Sequence, residues 1–312
     1  MKYFRIKCNP KSPFSNLFSA NQIWGQMVWA ISELYGDDSA TSFVNEFKTK
    51  PPFLVSAMMP EGYLPKACIP PVLSSEELSE KQKKDNRELA KKNKKQSWIP
   101  ISIIKKHQKN ITCLYKERFD CKVDCRDINE VHVKLSKDKD NLDVDMKPML
   151  YNTQFVRMNT PLVVFLRINR EEERYKKLLE TIFSYWEKRG LGGDRTVGRG
   201  FFEIKLEDLS ETEKQLFEYN EGNTLMTLSR CFGNDLIPKY YQISVYSGII
   251  QKTKTINQNI NFNKYPTIGF QPGSTFLKGE GTLLDHVHLD SEIFAYGYLF
   301  PLCINIMEAT SE

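Results

Sequence analysis

Residues 190–204 read GLGGDRTVGRGFFEI, with five glycines and two arginines in the first eleven positions. Glycine adopts positive φ without strain and lets a ligand approach the backbone closely, so successive amides of such a loop can face one phosphate. Arg195 and Arg199 would add forked cationic donors. The stretch therefore predicts a loop that binds a polyanion, although a loop that only turns the chain would also be rich in glycine.

The surroundings of this loop argue against a bound nucleotide cofactor. A P-loop has Lys and then Ser or Thr where this chain has Arg199 and Gly200. P-loops and dinucleotide fingerprints also follow a strand and begin a helix. Here residues 171–189 show helical periodicity and residues 201–206 resemble a strand, so the loop joins a helix to a strand. We expect no cofactor.

The elements outward from the loop follow a defined order. Apolar alternation predicts strands, and apolar residues at helical spacing predict two helices, the first of which Ser19 or Asn21 could cap. These elements lie at residues 2–8, 21–34, 53–57, 161–168, 171–189 and 201–206. The resulting order is βαββαβ, which is typical of the ferredoxin-like or RRM-like fold.

A long insertion of about residues 68–152 separates the second and third of these strands. Residues 74–96 carry eight Lys or Arg and almost no large apolar side chains, which predicts a solvated helix or a mobile insertion. The remainder, residues 221–312, is rich in β-like runs. We predict an α+β protein with two ferredoxin-like lobes, at 1–220 and 221–312, the first of which carries the insertion and the loop at 190–200.

The composition limits the classes of function that fit this chain. Its 312 residues are 40% hydrophobic, which is enough for substantial cores, and the net charge of +5 is small, so anion binding would need local clustering of charge. Neither an apolar leader nor a run of about 18 apolar residues occurs, so we expect a cytoplasmic protein without a membrane partner. The seven scattered cysteines fit reduced thiols.

Four further motifs resemble one known family. They are SANQIWGQMVWAISELYG at 19–36, PFLVSAMMPEGYLPKA at 52–67, GSTF at 273–276 and YGYLFPL at 296–302. Together with the glycine-rich loop, they resemble the RAMP superfamily of CRISPR proteins, and most closely the Csm-type subunit that caps the 5′ end of the guide RNA in type III-A effector complexes. In the first motif, the positions that match the family pattern are Gly25, Trp29, Ala30, Glu33, Leu34, Tyr35 and Gly36, whereas Asn21 and Gln22 depart from it. In the second motif, Met58 and Met59 depart from the pattern.

The resemblance implies a non-catalytic RNA-binding subunit. In that family the glycine-rich loop holds the repeat-derived 5′ tag of crRNA, and the insertion is a thumb that separates guide and target RNA, so that contact with target RNA is indirect. The partners implied are crRNA, the large polymerase-like signature subunit and the backbone RAMP subunits. The RNA-binding residues implied are Ser19, Asn21, Gln22, Gly192, Gly193, Asp194, Arg195, Thr196, Val197, Gly198, Arg199, Gly200 and Phe201.

We expect the amides of Gly192, Gly193, Thr196 and Val197 to hold phosphates, with Phe201 near an unstacked base. Phe202 and Trp24 are further aromatic residues close to these positions. Trp24 lies on the apolar face of its predicted helix, however, which favours core packing over base stacking.

Two alternatives to this function remain open. One is a crRNA-processing endoribonuclease of the same superfamily, for which His286 and His288 form an HxH motif whose side chains would share one strand face. The first predicted helix has no histidine, and His107 and His132 lie in the insertion, so no general base is positioned on the regular elements. The other alternative is the equivalent cap subunit of a type III-B or type I complex.

A metal site is a weaker possibility. Cys113, Cys121, Cys125 and His132 could supply zinc ligands, but their spacing is irregular and includes no C-x2-C pair. Incidental or buried thiols are favoured, because free cysteine commonly packs as a small apolar residue.

Overall fold

The computed structural model describes residues 1–70, 95–134, 149–250, 263–288 and 293–307, together with positions 84, 88, 89, 91 and 93. Most of the predicted lysine-rich segment at 74–96 lies outside these residues. Within it, Lys84, Lys91 and Lys95 are helical and exposed. No helix in the described part of the chain combines the length and apolar character needed to cross a bilayer.

The chain forms a mixed fold of helices and antiparallel sheets. The helices are α1 Ala20–Tyr35, α2 Asp37–Thr49, α3 Ile101–His107, α4 Glu172–Arg189 and α5 Glu211–Glu218, with short 3₁₀ turns at Ile111–Lys116 and Arg195–Val197. The strands are β1 Lys2–Pro10, β2 Phe53–Val55, β3 Met59–Pro60, β4 Tyr63–Pro65, β5 Trp98–Pro100, β6 Cys125–Lys134, β7 Met149–Met158, β8 Leu162–Ile168, β9 Phe202–Asp208, β10 Thr224–Thr227, β11 Ile237–Tyr240, β12 Ile243–Tyr246, β13 Thr267–Phe270, β14 Thr275–Lys278, β15 Gly281–Leu284, β16 Ala295–Tyr298 and β17 Pro301–Ile304.

The first sheet confirms the βαββαβ order predicted for the N-terminal half. Its strands take the spatial order β2-β8-β1-β9, all antiparallel, and β3 also pairs with β8. In the sequence α1 lies between β1 and β2, and α4 lies between β8 and β9. Strand β1 alternates as predicted, because Phe4, Ile6 and Cys8 are buried while their neighbours are partly exposed.

Helix α1 begins and ends at the predicted signals. Ser19 and Gln22 form a capping box at its start, and Gly36 ends it with a φ of 89°. Helix α2 follows without a linker and was not predicted, because residues 37–49 have low apolar content and no separating loop. Trp24 is a core residue as predicted, with its ring 5.6 Å from that of Phe47 of α2 and 6.0 Å from that of Tyr296.

The C-terminal residues form a second four-stranded sheet, with the order β11-β14-β10-β17, and two ribbons, β12-β13 and β15-β16. The predicted strand-rich character is confirmed. A second ferredoxin-like lobe is not confirmed, since the described residues from 219 to 307 include no helix. The two halves share one core, in which the ring of Phe217 lies 5.0 Å from that of Phe165 and 6.0 Å from that of Phe300. A lobe boundary near residue 220 stays a prediction.

The insertion contributes β5, which pairs with β4, as well as α3, β6 and the start of β7, and β6 and β7 form a long ribbon. Ten residue pairs join β6 to β7, from Cys125 with Met158 to Lys134 with Met149. Only the base of the ribbon pairs with the body of the protein, where Phe14 and Val156 exchange two backbone hydrogen bonds of 3.0 and 2.7 Å. Farther along, Val131, Leu150 and Tyr151 are exposed.

Candidate nucleic-acid interface

The glycine-rich loop at 190–200 is closed at its base by backbone hydrogen bonds. The amide of Leu191 donates to the carbonyl of Gly200 over 2.7 Å, and the amide of Gly200 donates to the carbonyl of Pro13 over 2.9 Å. The amide of Phe201 donates to the Ser12 hydroxyl at 2.9 Å. The loop is therefore fixed against the chain that leads from β1 to α1.

The glycines of the loop have different roles. Gly190, Gly192, Gly198 and Gly200 all have positive φ, between 70° and 86°. A Cβ on Gly200 would lie 2.0 Å from the carbonyl oxygen of Leu191, and one on Gly192 would lie 2.9 Å from the ring of Phe18. A Cβ on Gly193 or Gly198 would meet nothing within 4 Å. Gly200 and Gly192 thus permit close packing, whereas Gly193 and Gly198 lie at the open edge.

The amides of the loop are only partly free to bind a ligand. The Val197 amide donates to the carbonyl of Asp194 at 3.1 Å within the short 3₁₀ turn, so its predicted use as a phosphate donor is corrected. The amides of Gly198 and Arg199 are likewise bonded within the loop, to the carbonyls of Arg195 and Asp194. Gly192, Gly193 and Thr196 donate no backbone hydrogen bond to any described residue.

Arg199 is engaged by the β6-β7 ribbon, and its predicted contact with RNA stays a prediction. Its guanidinium donates to the carboxylate of Glu130 on β6, and its Cζ lies 3.6 Å from the centroid of the Phe155 ring on β7. Only 13% of its side chain is exposed, and the bond to Arg199 lowers the pKa of Glu130. Arg199 therefore attaches the β6-β7 ribbon to the loop. Nothing local in the sequence indicates this pair, because the two residues are 69 positions apart.

Arg195 is the arginine of the loop that lacks an acidic partner among the described residues. It is half-buried, and its Cγ lies 3.3 Å from the position that a Cβ on Gly190 would occupy. Phe201 is also half-buried and borders the loop. Phe202, in contrast, is buried with its ring 5.2 Å from that of Phe14, so it belongs to the core and cannot stack on a base.

The start of α1 lies beside the loop, since Gly192 contacts Phe18. The side chains of Ser19 and Gln22 there bond to each other in the capping box. The Ser19 hydroxyl accepts from the Gln22 amide at 3.3 Å, and Gln22 Oε1 accepts from the Ser19 amide at 2.8 Å. Asn21 is 4% exposed, and its Oδ1 accepts from the Tyr296 amide at 2.8 Å, which gives this residue a structural role; its predicted contact with RNA stays a prediction. The helix end itself still presents a positive dipole.

The histidines do not form the predicted pair. Residues 285–288 are not in a strand, so His286 and His288 do not share a strand face; His286 is exposed with a φ of 51°, and His288 is buried. His107 Nε2 lies 2.7 Å from Glu117 Oε1. His132 stacks on Tyr151 with 5.3 Å between the ring centroids.

The seven cysteines are all free thiols. Within the described ranges, no three His, Cys, Asp or Glu residues lie close enough together to hold a metal ion, and this includes the predicted candidates Cys113, Cys121, Cys125 and His132.

Comparison with known proteins gives one curated relative. No family model matches the chain. A stretch of 95 residues, 29% of this chain, is 35% identical to the CRISPR system Cms protein Csm4 of Methanocaldococcus jannaschii. The match spans 25% of the length of that relative.

Solved structures match over nearly the whole chain. A crystal structure of a Csm1–Csm4 cassette in complex with pppApA aligns with 99% of this chain and 100% of its own matched chain, with a TM-score of 0.64 and 18% identity. A Csm3–Csm4 subcomplex of the type III-A interference complex aligns with 97% of this chain and 99% of its own, with a TM-score of 0.62 and 18% identity. The predicted resemblance to Csm-type proteins is confirmed in sequence over the one stretch of 95 residues and in fold over nearly the whole chain.

A pair of alanine substitutions tests the roles of the glycines. Gly200→Ala forces a Cβ against the Leu191 carbonyl at positive φ, so we expect it to lower the free energy of unfolding by about 2 kcal/mol or more. Gly193→Ala adds a Cβ in open space and should change the free energy of unfolding by less than about 0.5 kcal/mol. Urea denaturation measures both values. Equal losses would contradict the difference between the two positions.

Removal of the arginine contact should loosen the ribbon. In Arg199→Ala the β6-β7 ribbon loses both its ion pair with Glu130 and its stacking contact with Phe155. We expect limited proteolysis to cut β6 or β7 several times faster, because cleavage follows the population of locally opened states. Arg126→Ala, at a 78% exposed position on the same ribbon, is the control. An unchanged cleavage rate in Arg199→Ala would rule out the anchoring role.

Proposed function

We propose that this chain is a non-catalytic RNA-binding subunit of a type III-A CRISPR effector complex and that it binds the 5′ repeat-derived tag of crRNA. The observation that carries the proposal is the open edge of the glycine-rich loop. There the unbonded amides of Gly192, Gly193 and Thr196 lie on the same loop as Arg195, which has no acidic partner among the described residues. The sequence similarity to a Csm4 protein supports the assignment to this class of complex.

The chemistry of the loop suits an RNA backbone. Backbone amides and an arginine provide donors for phosphate oxygens, and the N-terminal end of α1 adds a favourable dipole beside Phe18 and Gly192. Phe201, half-buried where the loop enters β9, is placed to contact an unstacked base. None of these groups needs to accept or donate a proton in a reaction, which agrees with a role in binding alone.

The β6-β7 ribbon is proposed as the thumb that separates guide from target RNA. Val131, Leu150 and Tyr151 expose apolar surface on it, and such side chains pack against the faces of bases. The contacts of Arg199 with Glu130 and Phe155 join the ribbon to the loop. The tag site and the thumb would therefore keep a constant separation when the guide pairs with its target.

The subunit contacts are proposed to include an exposed apolar face on the C-terminal half. On the β12-β13 ribbon, Ile243 is 57% exposed and Val245 and Ile268 are each 67% exposed. Val245 lies directly opposite Ile268, so the three side chains form one continuous surface. Apolar patches of this kind are commonly covered by protein partners. We propose that this face docks the large polymerase-like subunit, while the backbone RAMP subunits contact other surfaces of the chain.

Replacement of the loop arginine should weaken RNA binding without unfolding the protein. In a reconstituted complex, Arg195→Gln removes one phosphate contact, so the affinity for crRNA should fall about tenfold. The slope of log affinity against log salt concentration should become shallower by about 0.7. Fluorescence anisotropy at several salt concentrations measures both quantities. Arg170→Gln is the matched control. Arg170 is exposed and precedes the N-terminal end of the 18-residue α4, whereas the loop follows the C-terminal end of that helix. Unchanged affinity and slope in Arg195→Gln would contradict the proposed site.

Charge introduced on the apolar ribbon face should disrupt assembly. The double variant Val245→Asp, Ile268→Asp buries two carboxylates if a partner covers this face, so recovery of the large subunit by co-purification should fall at least tenfold. Leu277→Asp, at a 53% exposed position on β14, controls for the added charge. Full recovery of the large subunit would exclude this face, and loss of only a backbone subunit would assign it to a different partner.

A further inference from the structure

The β12-β13 ribbon exposes apolar side chains and turns polar ones inward, the reverse of the usual arrangement at a protein surface. Its outward face is apolar, and its other face, which carries Ser244, Tyr246 and Gly269, is turned toward the body of the protein. A Cβ on Gly269 would lie 2.2 Å from the ring of Phe232, which establishes the direction of this face. A ribbon that directs polar side chains inward requires polar partners beneath it.

Arg230 lies beneath this inward face. Its Cγ is 3.3 Å from the position of a Cβ on Gly269, and its guanidinium Cζ lies 5.1 Å from the centroid of the Tyr246 ring. The side chain is half-buried, and burial lowers the pKa of Arg230. The cation–π contact with Tyr246 covers one face of the Arg230 guanidinium and provides no hydrogen-bond acceptor for its N–H groups.

This guanidinium lacks the partner that a buried arginine normally has. No described acidic residue forms an ion pair with Arg230, and its buried Nε has no hydrogen-bond partner in the described part of the chain. The buried hydroxyl of Ser244, on the ribbon face above, is also without a partner there. Unpaired buried cations and donors are costly unless a ligand satisfies them. Two such groups under one ribbon therefore indicate an anionic ligand.

The position of Arg230 connects this group with the glycine-rich loop. Tyr246, which contacts Arg230, has a pKa raised by burial, and it lies close enough to Asn21 in the first turn of α1 for the Asn21 side chain to oppose that rise. Gly192 of the loop contacts Phe18 at the same helix end. Phe18 and Asn21 are only three residues apart in the sequence, on either side of the residue that caps α1. The loop and Arg230 therefore lie on two sides of one helix N-terminus.

We propose that Arg230, oriented by Tyr246, is a second phosphate site for single-stranded RNA, so that a strand bound at the glycine-rich loop continues across the N-terminal turn of α1 to this arginine. The inference rests on the proposed function for the identity of the RNA. A strand fits better than an isolated anion because the amides of Gly192 and Gly193, the end of α1 and Arg230 are donors that follow one another on adjacent segments. Asn21, predicted as a direct RNA contact, then acts through Tyr246 as a positioning residue.

The test uses the reconstituted complex with crRNA that carries one neutral methylphosphonate linkage at a time along the 5′ tag. Anisotropy titrations over several salt concentrations compare the wild type with Arg195→Gln, Arg230→Gln and the control Arg170→Gln. We expect Arg230→Gln to lower affinity about tenfold and to reduce the salt slope by about 0.7. In the wild type, a methylphosphonate at a contacted position should weaken binding. At one position this loss of affinity should disappear in Arg230→Gln, and that position should differ from the one at which it disappears in Arg195→Gln.

Two companion variants separate a binding role from a packing role. Arg230→Lys keeps the charge, so it should restore the salt slope even though stacking on Tyr246 is lost. Should Arg230→Gln fail to fold, Arg230→Lys with the same set of linkages still tests whether charge at this position contacts the RNA. Asn21→Ala should shift the affinity for RNA in the same direction as Arg230→Gln, because the Asn21 side chain that lies close to Tyr246 is removed.

The outcomes are distinguishable. An unchanged salt slope in Arg230→Gln, or sensitivity to the same linkage as in Arg195→Gln, would overturn the second site. If Arg230→Gln lowers recovery of a partner subunit and leaves RNA affinity intact, Arg230 instead meets an acidic protein surface and the inference fails. If Arg195→Gln also has no effect on the RNA, the proposed function itself fails. An effect of Arg195→Gln without one of Arg230→Gln leaves the proposed function intact.

Discussion

The pairing of β1 with both β8 and β9 is the interaction on which the rest of the structure depends. Seven residue pairs join β1 to each neighbour, and the end of β1 at Pro10 lies opposite Phe202 at the start of β9. This register brings the chain that leaves β1 to the same sheet edge as the chain that enters β9. The loop at 190–200 and the start of α1 meet there, although some 170 residues separate them in the sequence.

The environment of each arginine, more than the number of arginines, determines what the loop can bind. Arg195 and Arg199 are four positions apart, but Arg199 is neutralised by Glu130 and packed on Phe155, whereas Arg195 has no such partner among the described residues. Arg230, far away in the sequence, is brought next to the same helix end through Tyr246 and Asn21. A buried unpaired guanidinium has a high free-energy cost, and a polyanion is a ligand that removes it. The RNA binding proposed at that position would therefore also stabilise the protein.

The two ribbons connect the proposed RNA site with the surfaces proposed for partners. The β6-β7 ribbon is attached to the loop by Arg199, and the β12-β13 ribbon covers Arg230 with its polar face while it exposes Ile243, Val245 and Ile268. A partner bound to the outer face of the second ribbon would hold its inner face over Arg230. RNA binding and subunit docking would then favour each other, because each reduces the conformational freedom that the other must remove.

The sequence by itself determined the features that depend on local periodicity. The alternation of Phe4, Ile6 and Cys8, the capping signal at Ser19 and the helical spacing before Gly190 were sufficient for the order of helices and strands in the N-terminal half. Helix α2 was missed because no break in composition precedes it. Only the tertiary structure decided that Arg199 contacts the ribbon, that Asn21 is buried, and that Arg230 lies beside α1. Those facts depend on contacts between residues far apart in the chain. Such contacts form when sheets and helices pack, and packing produces no periodic pattern that could be read from the sequence.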